Sequence, residues 1–177
     1  KKEGKLTKNL VVRTVMSNIG LSVALEKLDI NSIMTKVGDR YVLEEMQANG
    51  SSIGGEDSGH VIFLQHHTTG DGIVTAIQVI AAMKKEGKPL SELAKIMDVF
   101  PQTLINVDTK SRPEISTVPE LVAVIKSVEE KLGTSGRVLV RYSGTQNMCR
   151  VMVEGPTQEE TLKYCKQIAD VVKEELG

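Results

Sequence analysis

The residues best suited to handling an anion lie in residues 137–155, RVLVRYSGTQNMCRVMVEG. Two runs of β-forming residues flank a Ser143-Gly144-Thr145 turn, with Arg141 on one side of it and Arg150 on the other. Small hydroxyl residues and a glycine let backbone N–H groups approach a ligand, and two guanidinium forks match phosphate oxygens. An ordinary hairpin with surface arginines fits the same residue types, so residue chemistry alone leaves both open. A second group is Glu56, Ser58 and His60 in GGEDSGH, residues 54–60, where a carboxylate, a hydroxyl and an imidazole share one loop. Such groups suit vicinal sugar hydroxyls, with a small polar surface turn as the alternative. A third is TTGDG, residues 68–72, which opens a helix: its amides suit an anion, or Asp71 simply caps it. No serine stands in a pattern that a neighbouring histidine would activate, and no His, Cys, Asp or Glu cluster has metal-ligand spacing. His66 and His67 are adjacent rather than one helical turn apart.

The elements that must position these groups follow from the hydrophobic pattern. Residues 10–15 form a continuous β-branched run, as in a strand buried on both faces. Ser17-Asn18 then caps a helix on Leu21, Ala24, Leu25 and Leu28. A strand over 32–37 turns at Gly38, and Asp39 caps a helix on Val42, Leu43 and Met46 that stops at Asn49-Gly50. Residues 51–60, with Gly54, Gly55 and Gly59, are expected to be irregular. A strand over 61–64 precedes a long helix with Ile73, Ile77, Ile80 and Ala81 inward and Gly87 as its stop, then a short helix over 91–97. A domain boundary is expected near Phe100, giving domains 1–99 and 100–177. Beyond it come a strand over 103–107, a helix opened by a Thr117-Val-Pro-Glu120 capping box, the two hairpin strands, and a helix opened by Thr157-Gln-Glu-Glu160. The last helix carries Leu162, Cys165, Ile168 and Val172 on its stripe. The fold class is α/β: a mixed α/β layered domain, then a small α+β domain in β-α-β-β-α order.

Composition narrows the function classes. The chain has 177 residues, 40% hydrophobic and 25% charged, with only 3% aromatic and no tryptophan. The core is therefore aliphatic, and no stacking platform for bases can be built. The net charge of -1 argues against nucleic acid as a partner. No apolar run reaches the ~18 residues of a membrane span, so no membrane partner and a cytoplasmic setting are expected. Cys149 and Cys165 are expected to be buried and reduced.

In order and in spacing, the two loops resemble the C-terminal half of the α-D-phosphohexomutase family. That family has a sugar-binding loop GE-x-SGH in its third domain and a phosphate-binding loop R-x-SGTEP, followed by a further arginine, in its fourth. Here these are Gly55-Glu56-Asp57-Ser58-Gly59-His60 and Arg141-Tyr142-Ser143-Gly144-Thr145-Gln146-Asn147, with Arg150 beyond. Thr14-Val-Met-Ser-Asn18, Lys36-Val-Gly-Asp-Arg-Tyr-Val-Leu-Glu-Glu45 and Thr69-Gly-Asp-Gly-Ile73 are similar to the phosphoglucosamine mutase branch, with phosphomannomutase and phosphoglucomutase as the neighbouring branches. Tyr142, Gln146 and Asn147 depart from the family's Pro, Glu and Pro, which puts loop rigidity in question. Asp57 replaces a Gln common in the branch and is expected to tune recognition of an ammonium group.

The resemblance implies an intramolecular phosphotransferase that interconverts glucosamine 6-phosphate and glucosamine 1-phosphate through a sugar bisphosphate, on the way to UDP-N-acetylglucosamine. It assigns phosphate to Arg141, Ser143, Gly144, Thr145 and Arg150, and sugar to Glu56, Ser58 and His60, with Arg40 as a weaker phosphate candidate and His60 as a possible support for proton transfer. The family's catalytic serine and its magnesium loop have no counterpart here. The chain is thus expected to hold no metal or cofactor, to be inactive alone, and to work with the family's N-terminal domains, while a homodimer stays open. The third domain is expected to lack its first helix, residues 1–6 being the tail of it. A free-standing phosphosugar-binding module is the alternative.

Overall fold

A computed structural model describes all 177 residues, which divide into two compact units, Lys1–Val99 and Phe100–Gly177. In the first unit the strands are β1 (Leu10–Thr14), β2 (Asn31–Thr35), β3 (Ile53–Gly55) and β4 (Val61–Phe63), in the order β2-β1-β3-β4. β1 runs parallel to β2 and to β3, and β4 returns antiparallel to β3. The helices are α1 (Ile19–Lys27), α2 (Asp39–Asn49), α3 (Gly72–Glu86) and the short α4 (Leu90–Leu93), which runs into a 3-10 turn at Ala94–Ile96. Asn18 caps α1 by accepting from Gly20 N–H, and Gly50 and Gly87 end α2 and α3 with positive φ. Gly38, not Asp39, is the N-cap of α2, and Asp39 accepts from Arg40 N–H at 2.8 Å. No helix is long and apolar enough to cross a membrane.

The core of this unit is Val12, Val42, Met46 and Ile62, with α2 laid on one face of the sheet. This explains a departure from expectation: residues 53–55 are a strand rather than an irregular loop. Gly54 pairs with Val12 and Ile62, and a Cβ there would stand 2.7 Å from Met46 Sδ, 2.8 Å from Val42 Cγ1 and 3.0 Å from Val12 O. The glycine lets α2 approach the sheet. Gly54→Ala is accordingly expected to destabilise the chain by about 1–3 kcal/mol in denaturant unfolding, because Val42 and the β1 backbone cannot retreat as the methionine can.

Two further expectations fail here. Residues 1–6 form turns rather than a helix, followed by a 3-10 turn at Thr7–Asn9. The isoleucine stripe of α3 faces outward, with Ile73 75% exposed, and Ile77, Ile80 and Ala81 are exposed too. The half-buried residues of α3 are Val74, Thr75, Gln78, Val79 and Met83. Gln78 and Ala81 line a cleft of about 480 Å³ with Ile53, Phe63, Lys5 and Leu6, so α3 stands off the sheet face opposite α2. Periodicity finds an apolar stripe but not the surface that meets it.

The second unit is β5 (Gln102–Asp108), α5 (Pro119–Leu132), β6 (Arg137–Tyr142), β7 (Met148–Glu154) and α6 (Gln158–Leu176), an antiparallel sheet in the order β5-β7-β6. Cys149, Val151 and Val153 of β7 pack with Leu121, Val128, Cys165, Ile168 and Val172 of the two helices. Alternation therefore sends Arg150, Met152 and Glu154 to the helix-free face. Thr157 caps α6 by accepting from Glu160 N–H, as its capping box predicts. The Thr117 box does not form: Thr117 lies in a 3-10 turn, its hydroxyl donates to Glu114 O, and Val118 is the N-cap, leaving Pro119 to start α5. Leu162 points outward, and Thr161 takes the buried position beside Thr103. Both cysteines are free and buried, and burial pushes the Cys165 thiol up to about 11.

Candidate functional site

In the second unit the registers place Arg141 directly opposite Arg150, and Arg150 directly opposite Asn106. Ile105 and Val107 of β5, and Val138, Val140 and Tyr142 of β6, pack on the helix side. Asn106, Arg150 and Arg141 thus form one row across the helix-free face of the three strands. Neither arginine makes an ion pair, although like charges directly opposite each other destabilise a sheet. Burial, and then the charge of Arg150, pull the Arg141 guanidinium below its usual pKa. Arg150 Nε is buried with no hydrogen-bond partner, and its Nη2 reaches Ser143 Oγ only at 3.5 Å.

The turn follows at the end of this row. Ser143 is 2% exposed and its N–H donates to Met148 O at 2.9 Å, closing the β6–β7 connection. Gly144 and Thr145 are exposed beyond it, and a Cβ on Gly144 would meet no atom within 4 Å. Two guanidiniums, a buried hydroxyl and an open turn are thereby gathered with no carboxylate paired to them. That is the donor set for a dianion. Asn106 was not among the residues singled out from the sequence. The alternation of QTLINVD turns it away from the core, but only the register puts it beside Arg150.

In the first unit the loop between β3 and β4 is a tight turn, with Glu56 N–H donating to His60 O and Gly59 N–H to Glu56 O. Gly59 has φ +91°, which a residue with a side chain rarely adopts. Ser58 Oγ and His60 Nδ1 are hydrogen-bonded at 2.9 Å, so hydroxyl and imidazole form one unit at the exposed tip, beside Asp57. Glu56 accepts from Gly38 N–H at 2.8 Å and is tied to the start of α2. Arg40 lies on that first turn, but its Nε is paired with Glu44 at 2.8 Å, which also raises its pKa. Residues 68–72 take the simpler of their two roles: Asp71 accepts from Ile73 and Val74 N–H and so occupies the amides an anion would need. His66 is hydrogen-bonded to Gln78, and no group of three or more His, Cys, Asp or Glu could hold a metal.

Comparison with known proteins gives this geometry a family. Residues 1–100 match the model of phosphoglucomutase/phosphomannomutase alpha/beta/alpha domain III, and residues 104–171 match that of the phosphoglucomutase/phosphomannomutase C-terminal domain. Among curated proteins, a phosphoglucosamine mutase of Syntrophus aciditrophicus is 99% identical over the whole chain, and one of Syntrophobacter fumaroxidans is 68% identical. The chain spans 39% of the length of each of these relatives. Among solved structures, an Aspergillus fumigatus N-acetylphosphoglucosamine mutase in complex with glucose 1,6-bisphosphate shares the fold, with a TM-score of 0.80 and 21% identity over 93% of this chain and 38% of that one. Another structure of the A. fumigatus enzyme, in complex with GlcNAc-6P and magnesium, has a TM-score of 0.77 and 18% identity, again over 93% and 38%. The chain therefore belongs to the phosphoglucomutase/phosphomannomutase family, of which it carries the third and the C-terminal domains.

Proposed function

We propose that this chain is the substrate-positioning part of a phosphoglucosamine mutase, which interconverts glucosamine 6-phosphate and glucosamine 1-phosphate. The observation that carries the proposal is the facing pair Arg141 and Arg150, free of ion pairs, beside an open Ser-Gly-Thr turn. The identity to curated phosphoglucosamine mutases supports the choice of sugar. In such a reaction one phosphate must stay fixed while the other is transferred. Arg141, Ser143, Gly144, Thr145 and Arg150 hold the fixed one, the guanidinium forks on its oxygens and the turn amides closing over it. Glu56 and Ser58 accept and donate to sugar hydroxyls, and His60 orients Ser58 through their hydrogen bond. Arg40 remains a weaker phosphate contact, since it would first have to leave Glu44. Phosphoryl transfer falls to residues of the longer protein. No group of three or more metal-binding side chains forms here, and the magnesium of the reaction would be held by residues of the longer protein.

The test is a titration of the 177-residue chain with glucosamine 6-phosphate, read at its amide NMR shifts. Saturable shifts at residues 143–147 and 56–60 are expected, with no turnover by the chain alone and turnover once the N-terminal domains are supplied. If millimolar ligand moves neither loop, the assignment fails.

A further inference from the structure

The anion loop at residues 143–147 contains no proline to stiffen it, yet both of its ends are tied to one neighbouring segment. Thr109 N–H donates to Asn147 O at 3.0 Å. Arg112 Nη2 donates to Gln146 O and, at 3.1 Å, to Asn147 Oδ1. On the other end, Tyr142 OH donates to Pro113 O at 2.8 Å, and the Arg112 guanidinium lies 5.9 Å from the centre of the Tyr142 ring. Tyr142 immediately precedes Ser143, and Gln146 and Asn147 close the turn. Of the three residues that depart from the family's loop pattern, Tyr142 and Asn147 meet this segment through their side chains, and Gln146 meets it through its backbone carbonyl.

We infer that Arg112, together with Tyr142, is a positioning residue that pre-orders the anion loop, with residues 109–113 acting as a strap across both of its ends. The inference rests on residues 141–150 being the phosphate site. A loop that binds through backbone N–H groups must be ordered at the moment of binding, and whatever ordering remains to be done is subtracted from affinity. A planar guanidinium can hold a carbonyl and a side-chain amide oxygen at once while its face rests on an aromatic ring. An ammonium group has donors enough for both acceptors, but it sits on a flexible stem and offers no planar face to the Tyr142 ring, so it keeps the charge and loses the fixed geometry. The strap therefore acts through shape rather than through the field of Arg112 at the ligand.

The experiment uses the isotopically labelled chain and inorganic phosphate as the probe, with the variants Arg112→Ala, Arg112→Lys and Tyr142→Phe. Amide hydrogen exchange is measured without phosphate, affinity by titration, and the melting temperature as a control. Arg112→Ala is expected to weaken phosphate roughly three- to tenfold, Arg112→Lys by nearly as much, and Tyr142→Phe by less. In each variant exchange should quicken at residues 143–147 while the melting temperature and the helix shifts hold. Wild-type affinity in Arg112→Lys, or wild-type exchange in Arg112→Ala, overturns the strap. If the unsubstituted chain does not bind phosphate, it is the site that fails, and exchange in the three variants still decides whether the strap orders the loop.

Discussion

Arg150→Ala is expected to lower affinity for glucosamine 6-phosphate by about 10- to 100-fold while leaving the unliganded chain at least as stable as before. A hydrogen bond to a charged group contributes roughly 1.5–3 kcal/mol, and a bidentate guanidinium–phosphate pair lies toward the upper end. The stability half of the prediction has the opposite sign for a separate reason. Without ligand, Arg150 faces Arg141 across the β6–β7 ladder and its buried Nε has no partner. Its removal relieves a like-charge pair and an unsatisfied donor. A residue kept for folding would move both quantities downward together. Arg141→Ala should behave in the same way, and lysine at either position should recover little, since the fork is lost. Affinity should also rise with pH through about 6 as the phosphate loses its second proton. Calorimetric titration checks affinity, and thermal unfolding without ligand checks the sign.

How much of this was legible in the chain depended on whether the cause was local. Asn18 and Thr157 cap their helices as their types predict, and Gly50 and Gly87 end theirs, because each effect acts within one turn. Thr117 carries the same signature as Thr157 yet does not cap, because its hydroxyl has Glu114 O nearer at hand. Gly54 read as a loop residue, although its real constraint is Val42 and Met46 from another element. The isoleucines of α3 show the same limit: a stripe states that a face is apolar, not what meets it. In the site, the Arg-Tyr-Ser-Gly-Thr and Glu-Asp-Ser-Gly-His strings marked both loops. Asn106 and Arg112 stayed hidden, because one enters by strand register and the other from a segment more than thirty residues from the turn.

The helix-free face of the second unit holds another charged residue whose removal should be costly in the opposite way to Arg150. Glu154 is fully buried and pairs in register with Arg137, whose Nε lies 2.5 Å from its carboxylate. Arg137→Met removes the guanidinium and leaves a carboxylate, 0% exposed, without that counter-charge. Breaking a buried pair from one side typically costs roughly 3–5 kcal/mol, and because the Arg137 side chain is 21% exposed the lower end is expected. The double variant Arg137→Met/Glu154→Leu should regain most of that loss, since two apolar groups of similar volume leave no charge stranded. Met152, flanked in register by Leu104 and Leu139, separates this pair from the arginine row, so phosphate affinity of whatever fraction remains folded should hardly change. Denaturant unfolding of the two variants decides it. If the single variant is as stable as the parent, the Arg137–Glu154 pair carries none of the fold's stability. If the double variant is no better than the single one, shape rather than stranded charge is the cause.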